Sequence, residues 1–256
     1  MFWVIKLVTT GIGEATSDFL GKTSIALAGV VGVLGFAVAM RMQLRARAYR
    51  APVYWFAVLM VAVFGTMAAD GLRRGAGISY GVTAAVYAVA VAAVLVVWYR
   101  SEGTLSIHSI TTRRRERFYW ATVLATFALG TAAGDLTALS LHLGFFGSAV
   151  LFAAVIAVPA LAWWRSWINP VLAFWAAYVI TRPLGASFAD WFGKPHARTG
   201  LGLGDGRVTA LGLVGFAALV AYVAIRKHDI QPHAHSHHEY PHGLRPLGLR
   251  TQPAES

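Results

Sequence analysis

The chain has 256 residues, is 57% hydrophobic and only 13% charged, with a mean hydropathy of +0.58, far from the roughly one quarter of charged residues in ordinary soluble domains. This composition excludes a soluble globular domain and makes the chain an integral membrane protein. The net charge of +11 does not call for nucleic acid, because the arginines cluster between apolar runs; the absence of cysteine excludes disulfides, thiolate metal sites and cysteine nucleophiles.

Eight apolar runs fit the chain, near 2–20, 24–44, 52–72, 78–99, 118–139, 144–164, 170–191 and 206–226. Each approaches the ~20 residues with which a helix crosses about 30 Å of hydrocarbon. The first contains Lys6, Thr9, Thr10, Gly13, Glu14 and Asp18; Glu14 and Asp18, four apart, share one helix face. In the second, Gly29, Gly32 and Gly35 leave room for close helix packing. The third opens at Pro52, Tyr54 and Trp55 and reaches Gly65, Thr66 and Asp70, with Arg73 and Arg74 just beyond. The fourth ends in Trp98, Tyr99 and Arg100, an interfacial ending. The long connection from Ser101 to Arg117 carries Glu102, His108 and Arg113–Arg115, expected at the headgroup surface against anionic lipid.

The fifth run, from Tyr119 and Trp120 to Gly130, Thr131 and Asp135, matches the third. The sixth ends in an aromatic belt of Trp163, Trp164 and Trp167. The seventh follows Pro170 and contains Trp175, Thr181, Arg182, Pro183, Gly185 and Asp190, then Lys194. The eighth closes the apolar part. Beyond it lies a polar tail with His228, His233, His235, His237, His238 and His242. Such a tract either binds a divalent metal through imidazole, at His233, His235, His237 and His238, or is a solvated tail without a ligand.

Trp followed fifteen residues later by Asp recurs four times, as Trp3/Asp18, Trp55/Asp70, Trp120/Asp135 and Trp175/Asp190, each with a glycine five residues before the acid. A self-similarity of this length is an internal repeat. The expected fold is therefore all-α and integral to the membrane, with eight transmembrane helices as four tandem two-helix repeats. The segments are 1–50, 51–116 with a basic loop, 117–168 and 169–226, followed by a disordered His-rich tail at 227–256. Two helices per unit give every copy the same orientation, so the repeats are parallel. A ring follows, with the four first helices central and the four second helices facing lipid. Fourteen of the 22 Lys and Arg residues then lie on one side, which makes both termini cytoplasmic in a multi-pass plasma-membrane protein. A homo-oligomer is compatible with this topology.

A fifteen-residue helical separation puts Trp and Asp within about 60° of one another and about 22 Å apart along the axis. A headgroup-level Trp thus implies an acid past mid-membrane. The residues four before the acids, Glu14, Thr66, Thr131 and Ala186, share that face. An acid at depth costs ~2.5–3.5 kcal/mol on insertion scales, so Asp18, Asp70, Asp135 and Asp190 need partners, protonation, water or a cation. Lys22 and Lys194, each four beyond an acid, can pair on the same helix; Arg182 can serve a neighbouring helix. Copies one and four, with Gly-Lys after the acid, form one chemical type, and copies two and three another.

Three readings stay open. The acids stabilise the bundle in a structural or sensory protein; or Asp18, Asp70, Asp135, Asp190, Glu14, Thr66 and Thr131 bind an ion or relay protons; or Glu14 and Asp18 do general acid–base work on a membrane substrate. No nucleophile, phosphate loop or His/Asp metal motif accompanies the pair, so no enzyme is expected. The carboxylate and hydroxyl oxygens suit a hard cation as substrate, such as Mn²⁺, Mg²⁺, Ca²⁺, Na⁺ or H⁺. Gly11, Gly13, Pro183 and Gly185 either break their helices at a midplane site or only allow tight packing. The reading favoured by the repeats is a transporter or channel for a small cation, a divalent metal such as manganese, with proton coupling.

The segments Gly13-Glu14-Ala15-Thr16-Ser17-Asp18, Trp98-Tyr99-Arg100-Ser101-Glu102-Gly103-Thr104-Leu105-Ser106-Ile107 and Gly185-Ala186-Ser187-Phe188-Ala189-Asp190 carry a resemblance. Over about 1–226 the chain resembles bacterial polytopic membrane proteins with a four-fold repeat of unknown function, described as uncharacterised membrane-anchored proteins. The resemblance implies a bacterial inner-membrane protein and supplies no activity.

Overall fold

The computed structural model describes residues 1–226, which form helices and no strands. The eight long helices are α1 (Phe2–Thr23), α2 (Ile25–Arg45), α3 (Ala51–Asp70), α4 (Tyr80–Glu102), α5 (Arg113–Asp135), α6 (Gly144–Trp164), α7 (Pro170–Gly193) and α8 (Asp205–Arg226). Helix starts follow local chemistry. Ser24, Ser79, Thr112 and Asn169 each accept a hydrogen bond from the backbone N–H three residues on, which satisfies an otherwise orphaned donor. The Thr112 cap starts α5 at Arg113, earlier than the apolar run alone implies.

Seven helices, α2 to α8, are long and apolar enough to cross a membrane; α1 is the exception, since it carries Lys6, Glu14, Asp18 and Lys22. Burial divides the rest into two sets. In α2, α4, α6 and α8 only 17–22% of the apolar stretch is buried, against 50–61% in α3, α5 and α7. The outer four expose Val30, Leu34, Val89, Val158, Trp164 and Leu211, a surface that in water would be a single large apolar patch and that suits lipid. The chain is a membrane protein.

Packing is cyclic. α1 lies against α3 and α7, and α5 lies against the same two, so the four odd-numbered helices close on one another. α2 packs on α3, α4 on α5, α6 on α7, and α8 returns to α1. Each outer helix thus seals the inner helix that follows it.

The glycines five residues before the acids sit where the inner helices touch. A Cβ at Gly13 would meet Ala62 of α3, at Gly65 it would meet Phe127 of α5, at Gly130 it would meet Arg182 of α7, and at Gly185 it would meet Thr10 of α1. Ala62, Phe127, Arg182 and Thr10 each lie eight residues before the acid of their own helix. All four junctions use the same two registers, so the inner helices run parallel and at one level. Small residues let the backbones approach, and that is the role of these glycines. α1 and α7 run unbroken through Gly11, Gly13, Pro183 and Gly185; a broken-helix site is not present there.

The irregular turns lie elsewhere. Directly after Asp70 and Asp135 the chain forms π-helical turns, Gly71–Gly75 and Leu136–Ser140. α7 instead stops at Gly193 with Lys194 extended, at φ −72° and ψ 152°. The two chemical types of copy therefore differ in backbone as well as in sequence.

The tryptophans do not form a lipid-facing gauge. Only Trp3 is exposed, whereas Trp55, Trp120 and Trp175 are buried between inner helices, and Trp98 is wholly buried against Phe118 and Trp175. They mark a level inside the bundle; Trp163, Trp164 and Trp167 are the exposed ones. The basic connection is also built into the fold. Glu102 pairs with Arg114 and Arg115, Arg113 pairs with Glu116, and the Leu105 carbonyl accepts from the Trp175 indole at 2.9 Å.

Candidate functional site

The parallel register brings polar residues of all four inner helices to the axis. Arg182 of α7 is fully buried. Its Nη2 donates to Glu14 Oε2 of α1 at 2.9 Å, to Thr131 Oγ1 of α5 at 2.9 Å and to the Thr66 hydroxyl of α3, while Nη1 donates to the Thr10 carbonyl at 3.0 Å. Thr66 and Thr131 lie 3.2 and 3.0 Å from the same Glu14 oxygen. A charge-assisted knot thus ties the four helices together. Pairing of this kind is what makes ionised groups tolerable where water is excluded.

Toward the C-terminal ends of the inner helices lies a second cluster. Ligand oxygens of Glu14, Asp18 and Asp190 all fall within 4.8 Å of one another, and all three residues are buried. The Lys194 ammonium contacts Asp18, lies 3.2 Å from Asp190 and 3.8 Å from Asp205 of α8. Lys22 closes the row by pairing with Asp205 from the half-exposed end.

Lys22 does not pair with Asp18 on its own helix. The Asp18 carboxylate is taken by Lys194 instead, and Lys22 pairs with Asp205 of α8. α7 has ended at Gly193, and the extended backbone of Lys194 carries its side chain onto the axis.

The remaining acids are less engaged. Asp70 pairs with the exposed Arg74 at 3.4 Å. Asp135 is half-buried and makes no salt bridge among the described residues. Asp18, Asp70, Asp135 and Asp190 therefore do not form an equivalent ring.

At the opposite end, Lys6 is buried, its Nζ 3.6 Å from the Tyr178 ring centroid and 5.1 Å from that of Phe127. Arg182 stacks on Phe127 too, at 5.0 Å. Among the described residues the Lys6 Nζ has no hydrogen-bond partner. Above it the Tyr54 and Tyr119 hydroxyls meet at 2.6 Å. They line a vestibule of about 1150 Å³ at the N-terminal ends of the inner helices, walled by the 46–49 and 107–113 connections.

Of the residues singled out from the sequence, Glu14, Thr66, Thr131 and Arg182 meet in one knot, and Asp18, Asp190 and Lys194 in an adjoining cluster. Asp70 and Asp135 stand apart. Asp205 and Lys6 complete the column and were given no role by spacing. Asp205 is outside the repeat register, and its only local signal is an acid heading an apolar helix. Lys6 is a lysine within an apolar run, a signal that pointed to no partner. His233, His235, His237 and His238 lie outside the described residues.

The family profile described as a repeat of unknown function, DUF347, matches residues 53–104, 118–168 and 173–229, which begin close to α3, α5 and α7. No curated protein and no solved structure matches the chain.

Proposed function

The chain belongs to the DUF347 repeat family, which supplies no activity, and from the buried acids of its inner helices we propose a bacterial inner-membrane transporter or channel for a small cation, a divalent metal such as manganese, coupled to protons. In this reading α1 is the eighth transmembrane helix and residues 1–50 are a fourth, divergent copy of the repeat. Both termini face the cytoplasm. Support for the fourth copy comes from the junctions of Gly13 with Ala62 and of Gly185 with Thr10, which use the registers of the other two. Lipid shields α1 poorly, and its neighbours α2, α3, α7 and α8 surround it instead.

The observation that carries the reading is the trio Glu14, Asp18 and Asp190, with an ammonium against two of its members. Three buried carboxylates suit a hard cation, and Lys194 stands as a tethered cation in the place such an ion would take. Entry of the ion requires Lys194 to lose its proton, which couples ion and proton, or to move aside with the proton retained. Asp205 offers the displaced ammonium a second carboxylate 3.8 Å away.

A second reading is favoured by Arg182, whose guanidinium is bound to Glu14, both threonines and the Thr10 carbonyl. A group so fully engaged acts as a structural clasp, and the acids then only stabilise a non-transporting or sensory protein. Mn²⁺ uptake into proteoliposomes, with and without a proton gradient, separates the two. Uptake abolished by Asp18→Asn and Asp190→Asn in folded protein supports transport; no uptake or binding of Mn, Mg, Ca, Zn, Na or K ions by the unaltered protein removes it.

A further inference from the structure

We infer that the vestibule at the N-terminal ends of the inner helices is a binding site for an organic oxyanion with a flat apolar body. The site is separate from the acid cluster and does not depend on the cation reading.

Its floor is aromatic, built from Phe2, Tyr54, Trp55, Tyr119, Trp120 and Phe174. An aromatic floor alone also suits an organic cation, so charge decides between the two. Arg47 and Arg113 line the wall, with Glu116 the one acid there among the described residues. Glu116 is already engaged by Arg113 at 3.3 Å and by the Gln43 amide at 3.1 Å. All four inner helices begin at this mouth, and α3 begins at Ala51 with no side-chain hydrogen bond from its N-cap residue Arg50. Their dipoles direct positive potential into the vestibule.

The buried groups left without a partner point the same way. Among the described residues, Trp55 Nε1 and Lys6 Nζ are buried nitrogens with no hydrogen-bond partner, and an unsatisfied buried donor is costly. Trp55 itself lines the vestibule. Lys6 lies one aromatic layer beneath it, on the face of Tyr178, whose ring packs on the floor ring of Phe174 at 5.5 Å. The acid next along the axis, Glu14, is held by Arg182 at 2.9 Å, so an anion above Lys6 would be the group that favours its charged form. An oxyanion seated over the Trp55 ring would accept from Arg47, with Lys6 adding attraction from below. The volume of about 1150 Å³ fits a molecule of ordinary metabolite size.

The oxyanion has two sources, a soluble carboxylate or phosphate and the headgroup of an anionic lipid. The test is a titration of purified protein in a non-ionic detergent with benzoate, read by tryptophan fluorescence, with benzamidinium as the isosteric cation. Benzoate should quench saturably and benzamidinium should not. Lys6→Met and Arg47→Gln should each weaken benzoate binding roughly tenfold or more, the loss expected for one charged hydrogen bond or its equivalent. Arg47 is exposed at the rim, so its variant tests the site even if Lys6→Met fails to fold. Absence of saturable quenching, equal binding of benzamidinium, or unchanged affinity in the folded variants overturns the assignment. The titration repeated in phosphatidylcholine nanodiscs with and without phosphatidylglycerol identifies the source. Competition by the anionic lipid makes the headgroup the occupant, and its absence makes it a soluble anion; either supports an oxyanion site.

Discussion

Gly130 of α5 lies against the side chain of Arg182 of α7, so closely that a Cβ at Gly130 would stand 2.6 Å from the Arg182 Cβ. The closest approach of two inner helices and the central ion pair are therefore one feature. Anything that separates these helices also pulls Arg182 away from Glu14.

Gly130→Ala is expected to destabilise the protein by about 1–3 kcal/mol, the usual cost of overpacking a tight interior. Gly65→Ala and Gly185→Ala, which meet Phe127 and Thr10, should do the same. Gly21→Ala and Gly29→Ala face open space and should leave stability unchanged or raise it. Melting temperatures in detergent compare the two groups, and equal shifts would refute the packing role.

Breaking the clasp from one side should cost more than removing it. Arg182→Met leaves Glu14 buried without its counter-charge, a loss of about 3–5 kcal/mol by analogy with other buried pairs. Glu14→Gln combined with Arg182→Met should recover much of that loss. A double-mutant cycle measures the coupling; additive effects would mean that the two residues do not act as a pair.

Lys194→Met distinguishes the two functional readings. If Lys194 stands in for a transported cation, its removal should raise Mn²⁺ affinity measured by calorimetry, because Asp18 and Asp190 lose their built-in competitor. If it is only a clasp, stability falls and no Mn²⁺ binding appears. Lys194→Gln, which keeps polarity without charge, guards against loss of the fold.

The four repeat acids should respond unequally. Asp70→Asn breaks a pair with an exposed arginine, worth ~0–1 kcal/mol. Asp135→Asn removes a charge with no ion-pair partner among the described residues and should keep or raise the melting temperature. Asp18→Asn and Asp190→Asn disrupt the contacts to Lys194 and should lower it. Uniform effects at all four sites would contradict the asymmetry of the column.

The helices were legible because each apolar run has a length and an ending that hydrocarbon and caps dictate. Register was legible too, since Trp, Gly and Asp recur together and the glycines fix where helices touch. Pairing across helices was less so. Arg182 was expected to serve a neighbour's acid, and Glu14 is that acid; Lys22, by contrast, meets Asp205, which no repeat position announces. The buried face of Trp55, Trp120 and Trp175 was also hidden, because an interfacial tryptophan and a buried one have the same place in a sequence. The vestibule draws about half of its lining from connections outside the helical periodicity, and nothing in the spacing foretold it.

α8 packs on α1, and this has a consequence for how the molecule is made. On the proposed topology, α1 leaves the ribosome before the other seven helices, carrying four charged residues that lipid does not welcome. Its shields arrive last: Arg182 with α7, then α8 to cover the remaining side. Until α7 and α8 have emerged, α1 is an unstable guest of the membrane, dependent on the insertion machinery. A message truncated before α7 should therefore yield a product that is degraded rather than a smaller stable bundle.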